Sequence, residues 1–223
     1  MDFSFDRDPD PADARHQLAA AMRSVIEELA TSSATDEAFE QARDLVQQAA
    51  ALLVGREHGR GYTGAEASLA EQQSSGSFLD FSPFIGRLNP LAPPIVMTRG
   101  DGVGVDTVVT GTVTYGSAYE GPPGCVHGGF IAAGFDEVLG FTQSMSGQPG
   151  MTARLQVQYR SPTPLRRPLR YEGRIDHVDG RKIHTRATLH HGDTLCAEAE
   201  ALFVSMKPEV FIRLMQQRAE RAD

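Results

Sequence analysis

The sequence predicts an α+β protein in which one curved antiparallel sheet wraps around a single apolar helix, with two amphipathic helices ahead of it. Three observations carry this. Between Phe130 and Met145 apolar side chains fall around most of a helical circumference, so that segment must be buried on nearly every side. From Ile95 onward, stretches of period two recur, the spacing of half-buried strands. Before residue 57 the apolar period is that of a helix. A sheet interrupted by so apolar a helix buries both most simply by curving around it, and its uncovered edges favour association with a second copy.

The first predicted helix starts at Asp10-Pro11, a capping residue followed by proline at the first helical position, and carries Leu18, Met22, Val25, Ile26 and Leu29 at helical spacing. Thr35, followed by Asp36 and Glu37, caps a second, with Phe39, Leu45, Val46, Ala49, Leu52 and Leu53 on one stripe and Gly55 as its stop. Together they predict a helical hairpin over residues 1–57. At Gly55 the composition shifts to Gly, Ser, Glu and Gln, which predicts a flexible linker over 58–77 and a sheet-and-helix domain over 78–223.

Within that domain Ile95 to Arg99 reads as a first strand, and Val105 to Tyr115 as a long half-buried one. Pro122, Pro123 and Gly124 mark the approach to the apolar helix. Four more strands follow, centred on Leu155, Tyr171, Ala187 and Ala199, and read as a meander. Asp179-Gly180 and His191-Gly192-Asp193 are its hairpin turns, and the three prolines of Ser161–Pro168 make a longer connection. Pro208 to Arg221 predicts a closing helix.

Hydrophobic residues make up 40% and charged residues 22%, a globular balance, and no apolar run approaches the ~18 residues of a membrane span. The acidic start MDFSFDRDPDPAD has neither the basic opening nor the apolar run of a secretory signal, so the expected location is cytoplasmic. Cys125 and Cys196 match neither a disulfide framework nor a zinc spacing. His184 and His190 share a strand face but lie about 20 Å apart at ~3.3 Å per residue, so no metal site is expected. The net charge of -8, without an aromatic-basic motif, disfavours nucleic acid. Yet Met151–His190 holds nine bases, among them Arg160, Arg166, Arg181 and Lys182, against three acids. That excess either attracts an anionic ligand or simply solvates strand faces.

The apolar helix carries two carboxylates, Asp136 and Glu137, which must be paired, protonated or functional. At its start Gly128 and Gly129 either permit a tight turn or present free N–H groups to an oxygen gaining negative charge. Asp136 lies seven residues beyond Gly129, about 10 Å at ~1.5 Å per residue, so one helix does not readily bring both to one carbonyl. Two copies with antiparallel helices would. Glu137 is expected to be exposed or salt-bridged.

The run GPPGCVHGGFIAAGFDEVLG, followed by MTARLQVQYRSPTPL, resembles the hotdog-fold acyl-CoA thioesterases, in the branch with His-Gly-Gly at the start of the central helix and an Asp nine residues after the His. The likeness spans Asn89 to Ser205, and the helical hairpin has no counterpart in the minimal domain. It implies hydrolysis of acyl-CoA to free acid and CoA in a homodimer or tetramer, with no cofactor beyond the coenzyme A of the substrate. It further implies Asp136 as general base or nucleophile, Gly128-Gly129 as oxyanion hole, and His127 and Thr152 in support. Arg160, Arg166, Arg181 and Lys182 would meet the phosphates of coenzyme A. A non-catalytic acyl-CoA sensor or scaffold is the alternative. A hydratase of the same fold is less favoured, because no His follows Asp136 by five residues and no His-Phe pair occurs.

Overall fold

The computed structural model describes residues 13–54, 78–148 and 150–205. Helix α1 spans Ala14–Thr31 and is capped by Asp13, whose Oδ1 accepts the Arg15 N–H at 2.9 Å. The expected cap, Asp10-Pro11, lies outside the described residues. Helix α2, Asp36–Ala51, starts at the expected Thr35, whose hydroxyl accepts the Ala38 N–H. The two do not bury each other's stripes as a hairpin should: α2 has no buried residue, and α1 buries only Ala19. Leu29 and Leu45 remain about two-thirds exposed.

Six strands form one sheet: β1 (Val96–Arg99), β2 (Val109–Val113), β3 (Gly150–Tyr159), β4 (Leu169–Asp179), β5 (Lys182–His191) and β6 (Thr194–Ser205). Every pairing is antiparallel and the order is β1-β2-β4-β5-β6-β3. The meander expected from β3 onward therefore holds only for β4–β6. β3 crosses to the far edge and pairs with β6, from Gly150 opposite Ser205 to Tyr159 opposite Ala197. The proline-rich connection after it makes this crossing, and its backbone docks on the loop before the apolar helix. The Val126 N–H donates to Thr163 O at 2.8 Å, and the Leu165 N–H to Gly124 O at 3.0 Å.

β2 is shorter than its alternation predicted. Gly104, at φ +60°, opens a 3-10 turn through Asp106, so Val105, where the expected strand began, lies with Val103 in an exposed turn that returns the chain from β1. The expected linker over 58–77 and the expected C-terminal helix lie outside the described residues.

The apolar helix, α3, spans Gly128–Ser144 and begins later than the Pro-Pro-Gly signal, which forms a turn instead. It buries Ile131, Gly134, Phe135, Val138, Leu139, Thr142 and Gln143. Against it the sheet turns Leu169, Tyr171 and Ile175 of β4, Ile183, Ala187 and Leu189 of β5, and the small row Ala197, Ala199 and Ala201 of β6. Phe135 meets the Tyr171 ring edge-on at 5.0 Å between centroids. The buried hydroxyls of Tyr115 and Tyr171 satisfy each other at 3.0 Å, and burial pushes both phenols well above their ordinary pKa. Gly134 makes room for them, since a Cβ there would lie 2.4 Å from the Tyr171 hydroxyl.

Candidate active site

His127 caps α3: its Nδ1 accepts the Gly129 N–H at 3.0 Å. An amide N–H can only donate, so the neutral ring carries its proton on Nε2 and offers that N–H outward. This corrects the expectation that both glycines present free N–H groups. Gly129 is occupied by its own cap, and the Gly128 N–H is the donor left without an acceptor among the described residues. The turn is held from two further sides. The Tyr159 hydroxyl, at the end of β3, donates to Gly128 O at 2.7 Å, and the His127 N–H donates to Tyr119 O at 2.9 Å.

Asp136 lies eight residues beyond Gly128, about 12 Å along the axis at ~1.5 Å per residue. Its side chain is exposed at the protein surface, and its Oδ1 accepts the Thr152 hydroxyl at 2.9 Å. A register shift between Thr152 and Arg154 marks a bulge there, the kind of irregularity that re-aims a side chain next to a site. Thus β3 runs antiparallel to α3, with Thr152 tied to the carboxylate and Tyr159 tied to the amide turn. β3 is also an edge strand, with Met151 58% and Tyr159 53% exposed.

The structure does not bring the four predicted bases together. Arg160 is paired with Glu198, and Arg166 reaches Glu27 and the Ser117 hydroxyl. Both lie towards the His127 end of the sheet. Arg181 and Lys182 follow the Gly180 turn at the opposite end, where Lys182 faces Val204 on β6 and Val204 in turn faces Met151 on β3. The Arg181 guanidinium donates twice to Ser205 O, at 3.0 and 2.8 Å, whereas Lys182 is exposed and has no partner among the described residues. A hollow of about 460 Å³, lined by Val96, Thr112, Leu169, Arg170 and His190, lies among β1, β2, β4 and the end of β5, towards the sheet edge opposite β3. It does not serve Asp136. Among the described residues no His, Cys, Asp and Glu group is arranged to hold a metal, and no helix is long and apolar enough to cross a membrane.

Residues 123–198 match the thioesterase superfamily. A crystal structure of a thioesterase superfamily protein, 34% identical, superposes with a TM-score of 0.73 over 87% of this chain and 96% of that one. This chain belongs to the thioesterase superfamily. The acyl-coenzyme A thioesterase THEM4 of Mus musculus is 38% identical over 92 residues, 40% of each chain, and THEM4 of Bos taurus is 32% identical over 145 residues, 59% of each. The matched stretch thus spans roughly half the length of these curated relatives.

Within this thioesterase superfamily fold, Glu137 departs from expectation, being neither exposed nor salt-bridged. It is largely buried, and its Oε1 accepts the Ser82 hydroxyl at 2.9 Å. Burial pushes its carboxyl pKa up, the Ser82 hydrogen bond opposes this, and the neighbouring Asp136 charge adds to the rise. The hydroxyl in turn accepts the N–H groups of Phe84 and Ile85, so Glu137 anchors the segment before β1 to the helix. Tyr159 is a site residue that sequence reasoning missed. Alternation places it on a strand face, but no spacing signals that its hydroxyl reaches Gly128 O.

Proposed function

We propose that this protein hydrolyses acyl-CoA thioesters to free acid and CoA at sites shared between two copies. The observation that supports this best is the separation of one exposed carboxylate, at Asp136, from one amide, at Gly128, that is free among the described residues, along a helix flanked by a strand whose outer edge is unpaired among them. If β3 pairs with its copy antiparallel about a twofold between Leu155 and Gln156, Thr152 of one stands level with Tyr159 of the other. Each Asp136 then approaches the other copy's Gly128. The thioester oxygen rests against the Gly128 N–H and the His127 Nε2–H, which stabilise it as charge develops. Asp136, held through one oxygen by Thr152, keeps its second oxygen for the reaction. It takes a proton from water as the water oxygen bonds to the carbonyl carbon, or attacks that carbon itself and is released by water. The C–S bond breaks and the CoA sulfur receives a proton.

Lys182, with Arg181 beside it, takes the phosphates of the nucleotide end. The relatives named acyl-coenzyme A thioesterases support the substrate class. Two free thiols, Cys125 and Cys196, fit a reducing compartment and hence the cytoplasm.

The test is a panel of acyl-CoAs from acetyl to palmitoyl plus aromatic acyl groups, read by release of free thiol. Turnover of at least one class is expected, and none would leave the sensor reading in its place. Mixing Asp136→Asn with His127→Ala copies tests the shared site. Random pairing should restore about a quarter of wild-type activity, because half the dimers regain one of two sites. No recovery despite confirmed exchange would place each site within one copy.

A further inference from the structure

α1 lies outside the wrapped helix and sheet, yet it is bound to the active-site loop more by polar groups than by apolar burial. Only Ala19 of its 18 residues is buried. In contrast, Glu27 Oε2 accepts the Ser117 N–H at 2.7 Å, and its other oxygen lies 3.3 Å from the Arg166 guanidinium. Gly116 is shaped to admit that carboxylate, because a Cβ on Gly116 would lie 2.4 Å from Oε2. Arg166 itself sits at φ +54°, the sole non-glycine residue with positive φ among those described, and its N–H donates to Tyr115 O at 2.8 Å. A side chain pays a conformational cost to stand there, and what it reaches is Glu27 and the Ser117 hydroxyl.

The turn that Glu27 caps leads directly to the amide donor. Ser117–Tyr119 is one 3-10 turn, Tyr119 O accepts the His127 N–H at 2.9 Å, and the Tyr119 ring packs edge-on against Phe130 at 4.9 Å. His127 and Phe130 bracket Gly128. One turn earlier on the same face of α1, Arg23 donates to Arg87 O and Asn89 O, and the Tyr119 hydroxyl donates to Leu91 O, which ties the segment before β1 to the same turn.

We propose that Glu27 is a positioning residue for the thioester site: through the Ser117–Tyr119 turn it fixes His127 and therefore the direction of the free Gly128 N–H. The accessory helix is thereby a working part of the oxyanion hole. This rests on the hydrolase reading above.

The test uses the full chain and an acyl-CoA that it turns over. Glu27→Ala should lower kcat about tenfold or more, as a small misplacement of a catalytic donor does, with KM changed less than about threefold. Glu27→Gln keeps an oxygen for the Ser117 N–H and should recover kcat to within about threefold of wild type. Gly116→Ala leaves the sequence of α1 unchanged but pushes the Glu27 carboxylate off the Ser117 N–H, so it should lower kcat in the same direction and carries the same test if Glu27→Ala does not fold. Hydrogen exchange supplies a readout that needs no turnover: the amides of His127 and Gly129 should exchange faster in Glu27→Ala and Gly116→Ala, while those of β5 do not change. Normal kcat with unchanged exchange at these amides overturns the proposal. If Asp136→Asn abolishes turnover in the same assay while Glu27→Ala does not reduce it, the hydrolase reading stands and the positioning role falls. If wild type shows no turnover but the exchange effect appears, the mechanical coupling stands and the hydrolase reading falls.

Discussion

The two ends of the 128–136 half of α3 are built differently. At the Gly128 end every group around the free N–H is held: the next amide by His127, the carbonyl by Tyr159, the incoming chain by Tyr119. At the Asp136 end a single hydroxyl, that of Thr152, reaches an exposed carboxylate beside an open edge strand. On the shared-site proposal, one end is a finished half-site and the other a half-site awaiting its neighbour. A donor that must be aimed in advance needs rigid support, whereas a carboxylate that acquires its final surroundings from a second copy needs only to be presented.

Removing the presented group should have the largest effect. Asp136→Asn keeps shape and the Thr152 contact but removes the proposed base or nucleophile, so kcat should fall about a hundredfold or more while the proposed dimer persists. Steady-state kinetics with sedimentation checks both. Near-normal turnover would show that the open end is not where the chemistry lies.

Loosening the aimed end should come next. Tyr159→Phe deletes the hydroxyl on Gly128 O and should cost kcat about tenfold with little change in KM. Thr152→Ala, at the less supported end, should cost less, about threefold to fivefold. Reversed magnitudes would invert the contrast between the ends.

Replacing Arg181 and Lys182 together by Ala should raise KM for acyl-CoA severalfold, about threefold to tenfold, and leave kcat nearly unchanged. A short thioester lacking the nucleotide should show no such change. An equal effect on both substrates would place the phosphates elsewhere.

The smallest kinetic effect belongs to Glu137→Gln, within about twofold of wild-type kcat, because Glu137 faces Ser82 rather than the edge strand. Its signature is in stability. Its pKa is raised in the folded state, so between the unfolded and folded values the folded form binds more protons and stability falls as pH rises. The deficit is full above the folded pKa and disappears below the unfolded value near 4.5. Glu137→Gln should therefore melt higher than wild type at neutral pH, with the gain vanishing in acid. A lower melting temperature at neutral pH would mean that the Ser82 contact outweighs the cost of burying the charge.

Much of this was legible in the chain. α3, with Phe135, Val138 and Leu139 on adjoining faces, announces a buried helix because nothing else can cover so many directions, and β4, β5 and β6 follow their alternation because each has one face on that helix. Gly128-Gly129 stood out as a glycine pair at a helix start and Asp136 as a carboxylate in an apolar helix, while the pairing of His127 with Asp136 came from the resemblance to the thioesterases. Local pattern therefore determined which elements exist and which residues are candidates. It failed where the deciding contact was distant in sequence. β3 carries the same alternation as its neighbours, but alternation does not encode which edge a strand joins. The period that suggested a hairpin from α1 and α2 likewise says nothing of where Glu27 and Arg23 find partners, about 90 and 65 residues away. The occupied Gly129 N–H, the Tyr159 bond to Gly128 O and the burial of Glu137 beneath Ser82 all depend on side chains meeting across elements. Periodicity reports a residue's face on its own helix or strand, and only the packed structure sets what that face meets.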